Sequence, residues 1–315
     1  MREEIENLIS IIIPCYGSEK TVAGVIDEIN QRFSEQNKYD YEVIAVNDGS
    51  PDNVIASLEE CAAKNDKVKV VDLAINSGKH HAILAGYSFV RGQIAITVDD
   101  DGQCPLDRIW DLVAPLENGY DMSMAKYASK KESTLKKMGS KVNSRMSRWL
   151  LNKPKGVVFT NFIARKRFVV DAMSNYHMPY AYLEGLSLKT TRNIALVDMD
   201  ERKRVAGKSG YTFAKSFKLM MNGYTAFSPK PLRISAGIGG LLSFSGAIYM
   251  IVSLILKLCN VCFDFKYHLL IAILLFLVGL ILLSLGLVGE YVGRIFVAQN
   301  NANQFVVRKT ININK

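Results

Sequence analysis

The chain has 315 residues, of which 49% are hydrophobic, and its formal net charge is +9. Its length suits one domain of ordinary size with an appendage, and its composition is that of a globular core. The charge would suit a nucleic-acid-binding protein, but it gathers beside two long apolar stretches and no nucleic-acid-binding motif is present, which excludes that class.

Strand and helix patterns alternate over the first hundred residues. The first strand, LISIIIP, is a continuous β-branched run of the kind that is buried on both faces of a sheet. Predicted strands cover Leu8–Pro14, Tyr41–Val46, Val68–Leu73 and Ile94–Val98, and predicted helices cover residues 19–36, 52–64 and 79–91. This order predicts an α/β domain, residues 1–210, built on a Rossmann-like, mostly parallel sheet.

Polar clusters follow three of these strands: Tyr16–Glu19, Asn47–Ser50 and Asp99–Asp101. In parallel sheets ligands bind at the carboxyl ends of strands, so we expect the three clusters to form one site. Asp99 and Asp101 alternate along an extended strand end and can face the same side. Paired carboxylates repel unless a cation neutralises them, and Mg²⁺ or Mn²⁺ bound there would hold a diphosphate; a solvated acidic turn is the alternative.

Asp48 and a later basic segment are further candidates. Asp48 could accept hydrogen bonds from a base or a ribose, or it could cap the helix predicted at residue 52. The segment that contains Arg202, Arg204 and Lys208 could hold phosphate oxygens, and the same charges could meet anionic lipid headgroups. These two roles of the basic segment are compatible.

Two stretches without Lys, Arg, Asp or Glu, residues 234–256 and 267–289, are each 23 residues long. A helix of that length spans roughly 35 Å at about 1.5 Å per residue, enough to cross a hydrocarbon core of about 30 Å. We predict two membrane-spanning helices within residues 232–290; two helices buried in a soluble core are the alternative. Basic residues before the first span and after the second predict that both termini, the tail 291–315 and the domain 1–210 lie in the cytoplasm.

Two further segments carry a basic and apolar pattern that is typical of helices at a membrane surface. Residues 126–150 hold eight Lys or Arg against one Glu, with an apolar stripe and Trp149, and form either an interfacial helix or a solvated charged helix. Residues 211–231 repeat the pattern directly before the first predicted span, so a second interfacial helix is expected there. Cys259 and Cys262 lie between the spans, and they are either incidental or form a disulfide.

Three separated motifs give the chain a resemblance to a known family. Asn76–Pro105 (NSGKHHAILAGYSFVRGQIAITVDDDGQCP) contains N-x-G-x-x-x-A-x-x-A-G followed by D-x-D. Arg204–Phe213 (RVAGKSGYTF) contains R-x-x-G-x-S-x-Y, and Leu287–Phe296 (LVGEYVGRIF) ends the last apolar stretch. In this order they resemble family-2 glycosyltransferases of the polyprenyl-phosphate type, a group that includes bactoprenol glucosyltransferases, undecaprenyl-phosphate aminoarabinose transferases and dolichol-phosphate mannose synthases.

The resemblance implies a GT-A fold and an inverting enzyme that moves one sugar from a nucleotide-sugar, expected to be a UDP-sugar, to a polyprenyl phosphate at the cytoplasmic face of the cell membrane. It also implies a Mg²⁺ or Mn²⁺ cofactor and is compatible with a homo-oligomer. The resemblance assigns Pro14, Tyr16, Glu19 and Asp48 to the nucleotide, Asp99 and Asp101 to the metal and the diphosphate, and Arg204 and Ser209 to phosphate groups. To these we add Lys79, Asp99 and Asp100 for the nucleotide-sugar, Asp101 for catalysis, and Arg202 and Lys208 for the diphosphate and the acceptor.

Two positions depart from the family pattern. The family has a second Asp where this chain has Asn47, and the position of the usual catalytic base falls at Val157, so we assign Glu184 as the substitute base. A phosphate acceptor needs placement more than deprotonation, because its second pKa lies near 6. A glycolipid hydroxyl acceptor, which needs a base, and a non-catalytic membrane scaffold derived from the family are the alternatives.

Overall fold

The computed structural model describes residues 4–127, 159–176, 181–202 and 304–313, with scattered positions in 145–157 and 267–295. The chain divides into two compact units, residues 1–223 with 303–315 and residues 224–302, and the described positions of the second unit are helical. No helix at the described positions is both long and apolar enough to cross a membrane. Most of the two predicted spans and of the two predicted interfacial helices lies outside these positions.

Among the described residues, eight strands form one mixed sheet. They are β1 (Ile5–Cys15), β2 (Asp40–Asn47), β3 (Val68–Leu73), β4 (Gly92–Thr97), β5 (Met122–Tyr127), β6 (Ile163–Lys166), β7 (Ile194–Met199) and β8 (Val307–Ile311). Their order is β7-β5-β6-β4-β1-β2-β3-β8. Strands β3, β2, β1 and β4 run parallel, and β5 is parallel to β7, whereas β6 and β8 are antiparallel to their neighbours. The predicted α/β class with a mostly parallel sheet is therefore confirmed.

Helices cover both faces of the sheet. The described α-helices are α1 (Val22–Ser34), α2 (Val54–Lys64), α3 (Lys79–Tyr87), α4 (Ile109–Glu117), α5 (Arg167–Ser174) and α6 (Leu183–Thr190). The larger core lies on the α1, α2 and α4 side, where it includes Ile9, Ile11 and Ile13 of the central strand. Helix α3 packs on the opposite face of β1, and it approaches closely because a Cβ at Gly86 would lie 2.6 Å from Cγ2 of Ile12.

The start of α1 and the end of α3 differ most from the predicted helix boundaries. Helix α1 begins at Val22 rather than at residue 19, because the backbone amides of Gly17 and Glu19 are hydrogen-bonded to side chains of the loop after β2. Helix α3 ends at Tyr87 rather than at residue 91, because the chain must turn into β4 at Gly92, whose amide donates to the hydroxyl of the β1 residue Ser10 at 2.9 Å.

Candidate active site

The loops after β1, β2 and β4 meet at one edge of the sheet. The amide of Tyr16 donates to Oδ2 of Asp100 at 3.0 Å, and the amide of Gly17 donates to Oγ of Ser50 at 2.7 Å. The amide of Asp48 donates to the last carbonyl of β1 at 3.0 Å. The three polar clusters that the sequence places at strand ends therefore lie together.

Asp99 and Asp100 point in different directions. Asp100 turns toward the end of β1, where burial raises its pKa above the ordinary carboxyl value and the amide of Tyr16 offsets part of that rise. Asp99 turns away from that loop: its Oδ2 accepts a hydrogen bond from Nδ2 of Asn161 at 2.8 Å, and its Oδ1 pairs with the ammonium of Lys79. Asp100 thus ties two loops together, while Asp99 faces α3 and the loop before β6.

The carboxylates of Asp99 and Asp101 are ligands of the chemical type that a hard divalent cation takes. Oδ1 of Asp101 accepts from the amide of Gln103 at 3.1 Å, which holds the turn in shape. The described positions contain no cluster of three or more His, Cys, Asp or Glu side chains that could hold a metal. The protein would therefore supply two carboxylates to a cation, and the phosphates of a substrate would supply the remaining ligands. A cation held there would neutralise charge on a departing diphosphate. In this structure the ammonium of Lys79 is a cationic partner of Asp99.

Asp48 is buried and holds the loop that leads from β3 into α3. Its two carboxylate oxygens accept from the amides of Ser77 at 2.7 Å and Gly78 at 2.9 Å. Burial raises the pKa of Asp48 above its ordinary value, against the opposite effect of these hydrogen bonds. The N-cap of α2 is Asn53, so Asp48 does not cap that helix. Its contact with a nucleotide stays a prediction.

The other residues assigned to the nucleotide lie along β1 and the loop after it. Pro14 pairs with Val46 of β2 at the end of the ladder. The side chain of Tyr16 is 53% exposed at the edge of the site, and an exposed aromatic ring there is suited to stack on a base. Glu19 is tied to the start of α2, because its amide donates to Oδ2 of Asp52 at 3.0 Å.

A cavity opens beside Asp99, between α3, β6 and α6. Its polar lining comes from Lys79, His80, Thr97, Thr160, Asn161, Arg165 and Glu184. The sequence-based assignment includes Lys79 and Glu184 but misses Asn161 and Arg165. These two lie in a stretch without a recognisable motif, and only the antiparallel pairing of β6 with β4 brings them to the end of β4.

Glu184 lies in the first turn of α6, where its Oε2 accepts from the hydroxyl of Tyr182 at 2.8 Å. Burial raises the pKa of Glu184 above the ordinary carboxyl value, as expected for a group that exchanges a proton closer to neutral pH.

Val157, at the position of the family's base, is buried and packs with Met122 and Ile163. The family's base position is therefore part of a hydrophobic cluster, and Glu184 lines the cavity instead.

Two side chains, the partly buried His80 and the buried Arg165, set the polarity of the cavity. Nδ1 of His80 donates to the carbonyl of Ala181 at 3.1 Å, and burial lowers the pKa of His80 to about 4, so this imidazole is neutral at pH 7. Arg165, 2% exposed, donates to the hydroxyls of Tyr87 at 2.8 Å and Ser187 at 3.3 Å. Because a guanidinium stays charged, Arg165 makes the electrostatic potential of the cavity more positive.

The side chain of Arg202 forms ion pairs with acidic residues and does not line the cavity. Its guanidinium donates to Glu28 at 2.9 and 3.0 Å and pairs with Asp107. Its backbone amide donates to the carbonyl of Gln103 at 3.0 Å, which places the start of the basic segment beside the acidic turn. The structure therefore does not direct the Arg202 side chain to a phosphate. The other predicted phosphate ligands, Arg204, Lys208 and Ser209, lie outside the described residues.

The chain matches the profiles of two known protein families. The profile of Glycosyl transferase family 2 matches residues 10–172, which is more than half of the chain. A second profile, the GtrB C-terminal hairpin, matches residues 230–295. The chain therefore belongs to glycosyl transferase family 2, and it is a glycosyltransferase.

Relatives extend the likeness over nearly the whole chain. The uncharacterized glycosyltransferase YkcC of Bacillus subtilis (strain 168) is 32% identical over 308 residues, which are 96% of this chain and 94% of that protein. The undecaprenyl-phosphate 4-deoxy-4-formamido-L-arabinose transferase of Proteus mirabilis (strain HI4320) is 29% identical over 312 residues, 98% of this chain and 95% of that protein. The family that three motifs predict is confirmed.

Solved structures confirm the GT-A fold. Glucosyl-3-phosphoglycerate synthase from Mycobacterium tuberculosis, in complex with UDP, matches with a TM-score of 0.50 at 18% identity, over 69% of this chain and 79% of that chain. The same enzyme in complex with Mn²⁺, UDP-glucose and phosphoglyceric acid also gives a TM-score of 0.50, at 19% identity, over 69% and 78% of the two chains. At this level of identity the likeness concerns the fold alone.

Proposed function

We propose that this glycosyltransferase transfers one sugar, with inversion, from a nucleotide-sugar to a polyprenyl phosphate at the cytoplasmic face of a membrane, for cell-envelope glycan synthesis or modification. The observation that carries the proposal is the acidic turn Asp99–Asp101 beside a cavity to which Lys79, Asn161 and Glu184 contribute. Nucleotide and diphosphate would bind along the strand ends, and the sugar would enter the cavity.

The donor site is built from the loops after β1, β2 and β4. The exposed ring of Tyr16 is suited to one face of a base, and the diphosphate would lie at Asp99 and Asp101. A Mg²⁺ or Mn²⁺ ion held by these two carboxylates would supply the charge that stabilises the leaving diphosphate. Binding of UDP by the structurally similar mycobacterial synthase makes a UDP-sugar the first donor to test.

The cavity beside Asp99 suits the transferred sugar. Sugar hydroxyls both donate and accept hydrogen bonds, and the lining offers Asn161 as donor and acceptor, Lys79 as donor and Glu184 as acceptor. Ile83, Phe159 and Leu183 supply apolar contact for the carbon face of a ring. A lining that combines polar side chains with apolar contacts suits a sugar ring.

A lipid phosphate as the acceptor explains why Val157, an apolar residue, can stand at the position of the family's catalytic base. A phosphate monoester has a second pKa near 6, so its oxygen is already anionic at pH 7 and needs placement rather than a base. In the proposed step that oxygen forms a bond to the anomeric carbon while the bond from this carbon to the diphosphate breaks. The nucleoside diphosphate leaves with the bonding electron pair. The Proteus mirabilis relative is named for undecaprenyl-phosphate, which makes it the first acceptor to test.

The chain path supports a membrane hairpin. Arg202 and the strand β8 belong to the same compact unit, so the intervening chain leaves that unit and returns to it. If the chain between them crosses a membrane, it must therefore cross it an even number of times. The two apolar stretches and the match of residues 230–295 to a C-terminal hairpin fit two crossings. The basic flanks of these stretches favour the cytoplasm for both termini.

Incubation of the full-length protein in detergent with undecaprenyl phosphate, Mn²⁺ and a panel of nucleotide-sugars tests the proposal. We expect mass spectrometry to detect a glycosyl phosphate lipid with one donor. We expect Asp101→Asn to reduce its formation about 100-fold or more, because the ion that would neutralise the leaving diphosphate loses a carboxylate ligand. Asp111→Asn is the matched control, since Asp111 of α4 pairs with Arg108, the residue before that helix. A lipid product that forms at the wild-type rate in Asp101→Asn would overturn the role of the acidic turn, and no product with any donor would overturn the proposed reaction.

Glu184 favours one alternative acceptor, the hydroxyl of a glycolipid. A hydroxyl needs a general base, and a partly buried carboxyl with a raised pKa suits that task. Mild acid separates the two products because a glycosyl phosphate is acid-labile and an ordinary glycoside is not. An acid-stable lipid product would favour the hydroxyl acceptor.

A further inference from the structure

The chain returns to the sheet after its second unit, at the edge next to the donor site. Strand β8 pairs antiparallel with β3, with Val70 opposite Ile311 and Leu73 opposite Val307. The carbonyl of Val306 accepts from the amide of Ala74 at 2.8 Å. The last residues of the chain thus contact the first residue of the loop between β3 and α3.

A bulge in this ladder directs Arg308 toward that loop. Asp72 pairs with Lys309 and Leu73 pairs with Val307, so Arg308 is the extra residue between two pairs. Bulges re-aim the side chain of the extra residue. Nη2 of Arg308 donates to the carbonyl of Ala74 at 2.7 Å, and its Nη1 lies 3.6 Å from Oδ2 of Asp72.

Asp72 connects Arg308 to the turn after β2. The side chain of Asp72 is 7% exposed, and its Oδ1 accepts from Nδ2 of Asn47 at 2.7 Å. Oδ1 of Asn47 in turn accepts from the amide of Ser50 at 3.1 Å, and Ser50 accepts from the amide of Gly17. An Asp at position 47 would face the carboxylate of Asp72, so the departure of this chain from the family's Asp-Asp-Gly-Ser has a local electrostatic reason.

The same loop is held from its other end by Asp48, through the amides of Ser77 and Gly78. The five residues from Ala74 to Gly78 are therefore held at both ends: Arg308 contacts Ala74 at the N-terminal end, and Asp48 contacts Ser77 and Gly78 at the C-terminal end. The loop leads directly into Lys79, the partner of Asp99.

We propose that Arg308 is a positioning residue for donor binding: the C-terminal strand holds the β3–α3 loop and, through Asp72 and Asn47, the turn after β2 in the conformation that binds the nucleotide. This inference rests on the proposed donor site. It means that donor affinity depends on a strand that the chain forms only after it has passed through residues 203–303. Arg308 itself contacts neither the cavity nor the acidic turn.

Arg308→Ala leaves the Ala74 carbonyl without its side-chain donor and the buried Asp72 carboxylate with Asn47 as its remaining described partner. We expect the full-length variant in detergent to bind the nucleoside diphosphate about tenfold more weakly in titration calorimetry, with the KM for the donor raised by a similar factor. The kcat and the KM for the lipid acceptor should stay within about twofold of wild type, because the cavity is untouched. Hydrogen exchange of the amides of residues 74–78 should become faster.

Two further variants separate positioning from general stability. Arg308→Lys keeps a cation beside Asp72 and should recover part of the nucleotide affinity, whereas Lys309→Ala, which removes an exposed ion pair with Glu59 on the same strand, should bind as wild type does. Equal nucleotide affinity in wild type and Arg308→Ala, or an equal loss in Lys309→Ala, would overturn the inference and leave the proposed reaction standing. A wild-type protein that binds no nucleoside diphosphate would instead overturn the proposed donor site together with this inference.

Discussion

At the scale of single residues, the carboxylates of the site divide into those that hold loops and those that face the cavity side. Asp48 and Asp100 accept hydrogen bonds from backbone amides, and burial raises the pKa of both. Asp99 faces Lys79 and Asn161, and Glu184 lines the cavity. The motif alone does not make this division, because it depends on which loops surround each side chain.

The burial of Glu184 should appear in the pH dependence of stability. Its pKa is raised in the folded protein, so the fold favours the neutral carboxyl and loses stability as pH rises from the ordinary carboxyl pKa through the raised value. Glu184→Gln cannot ionise and avoids this loss. We expect the full-length variant to be more thermally stable than wild type at about pH 7.5 and nearly equal to it at about pH 4.5.

Glu60→Gln is the matched control for Glu184→Gln. Glu60 is exposed and paired with Lys64 in one helical turn, and that pairing lowers rather than raises its pKa. It should therefore not gain stability over wild type as pH rises. If the gain of Glu184→Gln were the same at both pH values, ionisation of Glu184 would not be its cause.

At the scale of elements, α3 and the loop before it connect the proposed donor site, at the ends of β1, β2 and β4, to the cavity. The helix begins directly after Gly78, whose φ of +89° is accessible to glycine, and it supplies Lys79 and His80 to the cavity. The turn after β2 packs against the same loop: a Cβ at Gly49 would lie 2.5 Å from the amide nitrogen of Asn76. Glycine at position 49 is needed for this close approach of two loops.

A buried ion pair at the opposite end of β2 and β3 should contribute strongly to stability. Glu42 and Lys69 are 2% and 8% exposed, and Glu42 also accepts from Ser10 at 2.6 Å and from Arg91. Burial alone would raise the pKa of Glu42, but the hydrogen bonds from Lys69 and Ser10 lower it below the ordinary value. Glu42→Gln leaves the Lys69 ammonium buried without a carboxylate, and we expect a loss of about 3 kcal/mol in urea denaturation.

A double variant tests this explanation of the loss. Glu42→Gln combined with Lys69→Met removes both charges, so it should be more stable than Glu42→Gln alone. Glu59→Gln, which breaks the exposed pair with Lys309, should change stability by less than about 1 kcal/mol. A double variant less stable than the single one would show that the buried charge of Lys69 is not the source of the loss.

At the scale of the whole molecule, the sheet receives strands from both ends of the chain. Strand β1 comes from the N-terminus and lies near the centre of the sheet, and β8 comes from the C-terminus and forms its edge beside β3. Because both ends belong to one folded unit, they share one side of any membrane that the chain crosses. With two crossings, the segment 257–266 between the predicted spans lies on the opposite side.

Native cysteines provide a test of this arrangement. Cys259 and Cys262 lie between the predicted spans, whereas Cys15 and Cys104 are buried in the α/β unit and Cys61 is partly exposed. In a Cys61→Ser background, a membrane-impermeant maleimide should label intact cells at Cys259 and Cys262 after mild reduction. The variant Cys259→Ser/Cys262→Ser should lose that label. Labelling that appears only after the membrane is permeabilised would contradict two crossings with cytoplasmic termini.

The local pattern of the sequence was sufficient for the fold class and for the sheet edge where the three polar clusters meet. Continuous β-branched runs and helical periodicity predicted strands and helices close to the observed ones, with β3 matching at both ends. Parallel connectivity then requires that the polar clusters after β1, β2 and β4 meet at one edge. Both results follow from short-range propensity and from the order of strands and helices along the chain, and a sequence displays both of these directly.

Tertiary structure alone decided the partners of each site residue. Asn161 and Arg165 reach the cavity because β6 pairs antiparallel with β4, and Arg308 reaches the donor loop because β8 joins the sheet from a distant part of the chain. Arg202, which belongs to the basic segment predicted to hold phosphates, forms ion pairs with Glu28 and Asp107 instead. The physical reason is that a side chain's charge state and direction depend on burial and on neighbours distant in sequence, and no local pattern records them.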